Sequence, residues 1–410
     1  MVAANHRTRD TVIVTDSRAA KSPIPLFRCS VPAEARARLM ATLDSGWLGY
    51  GPQCRMLEER FCADRGGWAL ATSSCTSALY LAGRLVHALA GTQRPEIVVP
   101  SMTFVASGMA FLQAGVRPVV ADVGTDDLML GVEGVRRALT PRTRAVLAVH
   151  LYGQRCRELP ALRALADERG LLLIEDCAHR IDLFDAAAPV GDLLCYSFNA
   201  VKELPGGEGG LLWGRDPRHE EWVRPVSNLG LAVDTMQRTA ALRHADYVFA
   251  AEAGLKLRSN DVAAALVNAA IETLPASRAQ RREQFQRYDR LLLAAASDVR
   301  AIERRDDDSY LMYVIRVAAP ARDKVRAAMA SAGVATSVHY PSLARHPLFG
   351  NEQTDACCDR QDECVITLPT FAELTADDQR RVVDALALAF EDLRREAPAA
   401  SAGPRAMTLG

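Results

Sequence analysis

The chain has 410 residues, of which 49% are hydrophobic, and its formal net charge is −1. This length allows two or three domains, or one large α/β domain with an appendage, and the apolar content is enough for a substantial core. Because the charge is near zero and no dense Lys/Arg run occurs, we expect binding neither to nucleic acid nor to an anionic membrane surface.

Ten cysteines are scattered along the chain without a CxxC pair, which is typical of a protein kept in a reducing compartment. Cys357, Cys358 and Cys364 lie close in sequence, but adjacent cysteines with only distant histidines make a poor tetrahedral set, so we expect no metal. The first residues lack the apolar run of a signal peptide, and no apolar segment of membrane-spanning length follows. We therefore expect a soluble, cytoplasmic protein.

Short apolar runs alternate with helical periodicity between residues 68 and 215. The runs are EIVVP, RPVVADV, RAVLAVHLYG, LLLIEDCAH, LLCYSF and GLLWG. With helical segments such as ELPALRALADERG between them, they predict a mainly parallel sheet covered by helices in a large domain over 23–275. A charged helix, a strand and two further helices then predict a smaller C-terminal α/β domain over 276–395. The ends, 1–22 and 396–410, are expected to be flexible.

The first candidate site in chain order is the hydroxyl-rich stretch ATSSCTSAL, which leads into a helix. Free N–H groups and hydroxyls at a helix N-terminus bind phosphate, and Ser74 and Thr76 are placed to do so. Ordinary helix capping uses the same residue types, so this stretch alone leaves both interpretations open.

The second candidate is Phe104 in PSMTFVASGMAF, a few residues after the predicted strand EIVVP. An aromatic face at the carboxyl edge of the sheet can stack on a planar ligand. Packing in the core is the alternative interpretation of this residue.

The third candidate, Asp176, ends the apolar run LLLIED and so places a carboxylate at the edge of the sheet where α/β proteins bind ligands. Burial disfavours a lone negative charge, and a compensating cation such as the protonated ring nitrogen of a cofactor is expected beside it. A helix cap or a structural salt bridge at Glu175 or Asp176 is the alternative.

The fourth candidate is Lys202, within SFNAVKELPGGEGG. Only four of the 49 cationic side chains are lysines, and the rest are arginines. A lysine amine can be deprotonated by its surroundings and become a nucleophile, whereas an arginine stays protonated. Lys202 is therefore a candidate for imine chemistry with a carbonyl, and a lysine on a solvated loop is the alternative.

Together these four signals are the parts needed to hold pyridoxal 5′-phosphate (PLP): a lysine for a Schiff base, a carboxylate for the ring nitrogen, a phosphate cup and a stacking aromatic ring. Each signal is modest alone, but their order along the chain is specific. The sequence therefore predicts a PLP site.

With these motifs the sequence resembles the DegT/DnrJ/StrS family of PLP-dependent sugar aminotransferases. The resemblance begins at GWLGYGPQCRMLEERF and includes SSCTSAL, VPSMTFVAS, IEDCAH and SFNAVKELPGGEGG. It continues more weakly through GLKLRSNDVAAAL and SVHYPSL, and so covers most of the chain. The family has the aspartate-aminotransferase-like fold type I, which implies a mainly parallel seven-stranded sheet between helices and a smaller C-terminal domain.

The resemblance also implies roles for single residues. Lys202 would hold the cofactor as a Schiff base and shuttle a proton, Asp176 would keep the pyridine nitrogen protonated, and His179 would lie near the 3-hydroxyl group. A satisfied histidine at the start of a loop is the alternative for His179. The residues expected to bind the cofactor are Ser74, Cys75, Thr76, Phe104, Asp176, His179, Ser197, Asn199, Lys202 and Lys256.

The family completes its site across a homodimer interface, which implies the same partner here. The family segment Gly-x-Asn-x-Arg reads GLKLR, so Lys256 stands where asparagine is common and would reach the neighbouring site; a surface lysine is the alternative. Two departures from the family pattern imply a different cofactor affinity or local geometry and an atypical substrate. Cys75 replaces the glycine of Ser-Gly-Thr, and the segment over 179–192 is shorter than in the family.

The function implied is transfer of an amino group from L-glutamate or L-glutamine to a keto-sugar, with a nucleotide-linked sugar favoured, or to a keto-cyclitol, in a pathway such as antibiotic or polysaccharide biosynthesis. Lys202 distinguishes this chain from the family's dehydratase branch, which has histidine at that position. A PLP-dependent synthase of an aminated cyclic product such as an aminobenzoate and a non-catalytic partner protein are the alternatives. His339 and Tyr340 in SVHYPSL are the residues expected to face the substrate, and packing is the alternative for them.

Overall fold

The computed structural model describes residues 22–63, 65–183, 189–233, 248–295, 299–349 and 361–396. The ends expected to be flexible lie almost entirely outside the described residues, and so do Cys357, Cys358 and part of the segment over 179–192. In the described ranges, no helix has both the length and the apolar character needed to cross a membrane.

A seven-stranded sheet forms the centre of the larger part of the molecule. Its strands are β1 (Trp68–Thr72), β2 (Glu96–Pro100), β3 (Arg117–Ala121), β4 (Thr143–Val149), β5 (Leu172–Cys177), β6 (Leu193–Ser197) and β7 (Gly210–Gly214). The order across the sheet is β1-β7-β6-β5-β4-β2-β3. Strands β3, β2, β4, β5 and β6 run parallel, and β7 is antiparallel to both β6 and β1. The predicted mainly parallel, seven-stranded sheet is confirmed.

Both faces of this sheet are buried, which explains why its strands read as continuous apolar runs. Successive side chains of a strand point to opposite faces, and in β7 Leu212 joins one hydrophobic cluster while Leu211 and Trp213 join another. Seven helices accompany this sheet, and all but the first add residues to the two clusters: α1 (Ala33–Asp44), α2 (Pro52–Cys62), α3 (Cys75–Leu89), α4 (Ala106–Gln113), α5 (Val132–Ala138), α6 (Leu159–Arg169) and α7 (Pro217–Val226).

The C-terminal part contains α8 (Asp261–Ala295), β8 (Arg300–Ala301), β9 (Tyr313–Arg316), α9 (Arg322–Ser331), β10 (Val365–Leu368) and α10 (Ala376–Glu396). Its strands form an antiparallel sheet in the order β10-β9-β8. A separate hydrophobic cluster, to which Tyr288, Tyr313 and Leu386 belong, lies between this sheet and the helices. The smaller α/β unit expected from the sequence is present, and the division at residue 275 stays our proposal.

The charged helix of the C-terminal part begins earlier than the sequence indicated. The sequence pattern suggested a start near residue 276, whereas α8 begins at Asp261 and continues through Pro275. The first half of α8 packs Leu274 into the large core, and the second half packs Phe285 into the small one. Because packing at both ends holds the helix, the cost of an internal proline is offset and α8 links the two cores.

Asp261, at the start of α8, joins two segments that are distant in sequence. Its buried carboxylate accepts hydrogen bonds from the backbone N–H groups of Gly51 (2.9 Å), Gln53 (3.0 Å) and Cys54 (3.0 Å) at the start of α2. A carboxylate at this point satisfies the free N–H groups of the helix and opposes its positive end. The GWLGYGPQ and SNDVAAAL segments are therefore held together by one side chain.

Candidate active site

A cavity of about 340 Å³ lies at the carboxyl edge of the parallel strands. The structure brings most of the predicted site residues to its wall, and these are Ser74, Cys75, Thr76, Phe104, Asp176, His179, Ser197, Asn199, Lys202, His339 and Tyr340. Lys256 is the exception, since it is exposed and is not among the described residues that line the cavity. Nine of these residues lie at the sheet edge, and they meet two residues of the smaller unit, His339 and Tyr340.

The loop that carries Lys202 is fixed by short-range hydrogen bonds. The Lys202 N–H donates to the Asn199 carbonyl (2.9 Å), and the Asn199 side-chain amide donates to Glu208 (2.8 Å). Gly207 has a φ of 80°, which disfavours residues with a Cβ. At Gly210 a Cβ would lie 2.4 Å from the Ser74 carbonyl carbon, so only glycine lets β7 approach the start of α3 this closely.

Lys202 has the electrostatic setting of a reactive amine. Burial lowers the pKa of Lys202 from its ordinary value to about 8, although the nearby groups Asp176 and Cys75 raise it. Desolvation disfavours the ammonium form more than these neighbours stabilise it. About a tenth of the amine is therefore neutral, and nucleophilic, at pH 7, whereas well under 0.1% of an ordinary lysine is neutral there.

Asp176 is the buried carboxylate of the cavity, with 4% of its surface exposed. It accepts hydrogen bonds from the Ser107 hydroxyl (2.8 Å) and from the Ala178 N–H (3.0 Å). Burial raises the pKa of Asp176, while these two donors and then the charge of Lys202 lower it. A cation placed against this carboxylate would favour its ionised form, as the sequence analysis anticipated.

The start of α3 forms the polar end of the cavity. Ser74 is the N-cap, and its hydroxyl accepts the Ser77 N–H at 3.1 Å. Capping is therefore one role of Ser74, yet the N–H groups of Cys75 and Thr76 have no acceptor within the helix because they lie in its first turn. The Cys75 thiol turns inward, 3.6 Å from the Cys195 carbonyl oxygen.

His179 is held in one tautomer by its two neighbours. The Tyr152 N–H donates to Nδ1 (3.2 Å), so the ring proton lies on Nε2, which is 2.9 Å from the Tyr340 hydroxyl. Burial, and then the charges of Lys202 and His339, lower the pKa of His179 well below its ordinary value. A neutral His179 leaves the hydroxyl proton of Tyr340 free to point into the cavity.

Three aromatic side chains line one side of the cavity, Phe104 from the larger unit and His339 and Tyr340 from the smaller one. Phe104 is 52% exposed, and its ring centroid lies 5.3 Å from that of Tyr340. The His339 ring is fixed by Thr367, whose Oγ1 lies 2.8 Å from Nδ1, and burial is the largest of the causes that lower the pKa of His339 to about 4. These neutral groups present a largely apolar wall with a few polar atoms, as small-molecule sites do.

Sequence reasoning missed two residues that position the site. The hydroxyl of Ser107 bonds to Asp176, and it occurs three residues after Phe104 in a segment that had been singled out for its aromatic residue alone. Tyr152 has a φ of 62°, a conformation that non-glycine residues rarely adopt, and its N–H orients His179. Neither contact has a local sequence signal, because each partner lies far along the chain.

A second group of titratable side chains lies just after β4 and on β5, outside the lining of the cavity. His150, Glu175 and Cys177 have ligand atoms within 4.8 Å of one another, which is the spacing of metal ligands. However, His150 Nε2 lies 2.8 Å from Glu175, and His150 Nδ1 accepts the Cys156 N–H at 3.1 Å. Both imidazole nitrogens are already engaged, so hydrogen bonding within the protein accounts for this group.

The cavity fits the chemistry of PLP. The free N–H groups of Cys75 and Thr76 and the hydroxyl of Ser197 suit a phosphate group, and the buried carboxylate of Asp176 suits a protonated ring nitrogen. Lys202 provides a largely desolvated amine for the aldehyde. The observation behind this fit is that one cavity holds three kinds of group. They are a carboxylate that suits a cationic ring nitrogen, N–H and hydroxyl donors that suit an anionic phosphate, and an amine that suits an aldehyde.

Comparison with known proteins agrees with this chemistry. The model of the DegT/DnrJ/EryC1/StrS aminotransferase family matches residues 30–387. The aminotransferase TlmJ from Streptoalloteichus hindustanus is 29% identical, with a TM-score of 0.81, over 91% of this chain and 100% of TlmJ. DesI, solved in the presence of its TDP-sugar product, is 28% identical, with a TM-score of 0.79, over 92% and 97%. The sugar aminotransferase CalS13 from Micromonospora echinospora is 27% identical, with a TM-score of 0.76, over 89% and 99%.

Proposed function

The chain belongs to the DegT/DnrJ/EryC1/StrS aminotransferase family, and from this premise we propose that it moves an amino group from L-glutamate or L-glutamine to the keto group of a nucleotide-linked sugar. It is a PLP-dependent sugar aminotransferase. The observation that carries the proposal is the amine of Lys202, with its pKa lowered to about 8, beside the buried carboxylate of Asp176. The nucleotide-linked acceptor is supported by the likeness to DesI.

Each residue of the cavity then has a defined task. PLP supplies, when bound, an aldehyde that accepts an amino group and a ring that stores electrons. Lys202 would hold that aldehyde and would accept and return a proton at Nζ. Asp176 would stabilise a positive charge on the ring nitrogen, and the N–H groups of Cys75 and Thr76 would bind the phosphate. The rings of Phe104 and Tyr340, whose centroids are 5.3 Å apart, would flank the space beside the amine of Lys202.

The donor half of the reaction tests this function without knowledge of the sugar. We expect L-glutamate or L-glutamine, added to the PLP-loaded protein without an acceptor, to bleach the visible absorbance band within seconds to minutes, because the amino group is transferred to the cofactor. Absorbance spectra recorded after each donor identify the natural one. Alanine and aspartate serve as matched amino-acid controls, and a band that no amino acid bleaches would contradict an aminotransferase.

We propose further that the active protein is a homodimer in which Lys256 reaches the partner's cofactor phosphate. Lys256 forms a β-bridge with Asn228, at the start of the segment 228–232. Exposed apolar side chains cluster on this segment and on the residues that pair with it, and they are Leu229 (55% exposed), Val248 (50%), Phe249 (69%) and Leu255 (50%). Apolar groups exposed together are typical of an interaction surface. A second copy that covers this cluster would bring Lys256 toward the neighbouring cavity.

Mixed dimers test the shared site. We expect Lys256→Ala to lower PLP affinity about tenfold or more, since one charge-assisted phosphate contact is lost. When Lys256→Ala and Lys202→Ala subunits are mixed, each heterodimer contains one complete site. In that site the intact Lys202 of one subunit meets the intact Lys256 of the other. The visible band at limiting PLP should therefore return after subunit exchange. Lys324→Ala in place of Lys256→Ala is the control, and an unchanged affinity in Lys256→Ala would refute the assignment.

A further inference from the structure

A second cavity of about 280 Å³ adjoins the cofactor cavity. The two share Phe27, Val201 and Lys202 in their walls, but the second is bounded by α8, by the segment 27–34 and by residues 370–372. The tasks proposed above for the cofactor site do not use it. On the side of α8 the cavity is lined mainly by polar side chains, whereas apolar side chains are usual between two packed units.

The polar side of this cavity is a stripe along α8. Thr273, Ser277 and Arg281 follow one another at intervals of four residues and all line the cavity. Residues four apart lie above one another on the same face of a helix, so hydroxyl, hydroxyl and guanidinium groups form one row. Arg28, on the facing segment, lines the cavity as well, and its guanidinium lies 5.3 Å from the centre of the Phe371 ring. Two arginines therefore line one volume, Arg281 partly buried and Arg28 exposed.

The charge of Arg281 is not neutralised by a direct contact. Among the residues that the structure describes, its guanidinium makes no hydrogen bond or ion pair, and burial lowers the pKa of Arg281. Glu203, whose negative charge acts on Arg281 without contacting it, is bound instead to Arg278 (Nε–Oε1 3.0 Å) and to the Ile181 N–H (2.8 Å). Glu34 also lines the cavity but is exposed. A partly buried cation without a paired anion costs free energy unless a ligand supplies the negative charge.

We propose that this second cavity is a binding site for a phosphate group, held by Arg281 and Arg28 with the hydroxyl of Ser277 as a further donor. The planar, always protonated guanidinium presents paired N–H donors that match phosphate oxygens, and two such groups suit a dianion. The phosphate belongs either to the nucleotide part of the sugar acceptor, which rests on the proposed function, or to a free phosphate compound. Binding of phosphate itself does not depend on transamination.

Calorimetric titration of the PLP-loaded protein with pyrophosphate tests the site, because the cofactor already fills the other phosphate cup. We expect Arg281→Gln to lower the affinity at least about tenfold and Ser277→Ala to lower it a few-fold, since both remove a donor. Arg282→Gln is the matched control: the neighbouring side chain is paired with the exposed Asp306 (2.6 Å) and does not line the cavity. Equal affinity of Arg281→Gln and the wild type would overturn the proposal.

Two further measurements separate misfolding from lost binding and identify the source of the phosphate. Arg281→Gln should retain the visible band of bound PLP and, without phosphate, melt no lower than the wild type, because it removes an unpaired charge. Arg281→Lys should bind pyrophosphate with intermediate affinity. Thymidine diphosphate that binds at least tenfold more tightly than pyrophosphate indicates the nucleotide of a substrate, and equal affinities indicate a free phosphate compound. If the donor reaction fails but pyrophosphate still binds in a way that depends on Arg281, the proposed aminotransferase function is wrong and the phosphate site stands.

Discussion

Replacing Lys202 by alanine is expected to abolish the visible band of bound PLP and to slow amino transfer by at least about 10³-fold, while the fold remains intact. Two losses act together, because the same amine forms the covalent bond to the aldehyde and moves the proton. The side chain lies in a cavity wall whose loop is held by backbone contacts, so its removal leaves those contacts in place. Rapid-mixing absorbance with the identified donor measures the rate.

Two other substitutions separate amine chemistry from charge. Lys202→Arg keeps a positive charge beside Asp176 but cannot form an imine, so we expect it to be as inactive as the alanine variant. Lys324→Ala removes a lysine from α9, in the smaller unit, and should leave the rate unchanged. If Lys202→Arg retained more than a few per cent of the wild-type rate, the role of Lys202 would be electrostatic and the assignment wrong.

The same prediction has a pH dependence that follows from the lowered pKa of Lys202. At a pKa of about 8 half of the amine is neutral at pH 8, whereas an ordinary lysine with a pKa near 10.5 is only about 0.3% neutral there. Only the neutral amine attacks the aldehyde. The rate at which the apoprotein captures PLP should therefore rise through pH 7 to 9 and level off above pH 9, and a rise that continues past pH 10 would show that burial does not tune this lysine.

The parts of the site that sequence could predict are those coded by local pattern. Asp176 and Lys202 were found because an apolar strand that ends in a carboxylate, and a rare lysine before a glycine cluster, are features of a few consecutive residues. The sheet was predicted for the same reason, since strands buried on both faces read as apolar runs. Proximity of these residues then follows from the topology, because parallel strands bring their carboxyl ends to one edge.

The parts that were missed depend on contacts between distant segments. Strand β1, with the sequence WALAT, contains alanines and no β-branched residue before its last position, and it is a strand because it pairs with β7 at the edge of the sheet. The early start of α8 likewise follows from packing on two cores, which overrides the local signal of Pro275. Tyr152 and Ser107 act through partners that no sequence window contains.

Asp176→Asn is expected to lower the rate of amino transfer by roughly 10²- to 10³-fold while PLP remains bound through Lys202, because an amide of the same shape no longer opposes the positive ring nitrogen. Burial alone raises the pKa of Asp176, so its ionised form depends on Ser107, Ala178 and nearby positive charge. The substitution also removes the charge that raises the pKa of Lys202. Capture of PLP by the apoprotein should consequently have its midpoint at a lower pH than in the wild type.

Ser107→Ala distinguishes the charge of Asp176 from its positioning. Loss of the 2.8 Å hydrogen bond leaves the carboxylate in place but raises its pKa further, so the rate should fall only about three- to tenfold, and mainly at low pH, where Asp176 becomes protonated. At high pH the carboxylate is ionised in both proteins and the rates converge, whereas Asp176→Asn stays slow at every pH. Equal rates of Asp176→Asn and Ser107→Ala across the pH range would mean that Asp176 only orders the cavity, and that the ring nitrogen gains its charge from elsewhere.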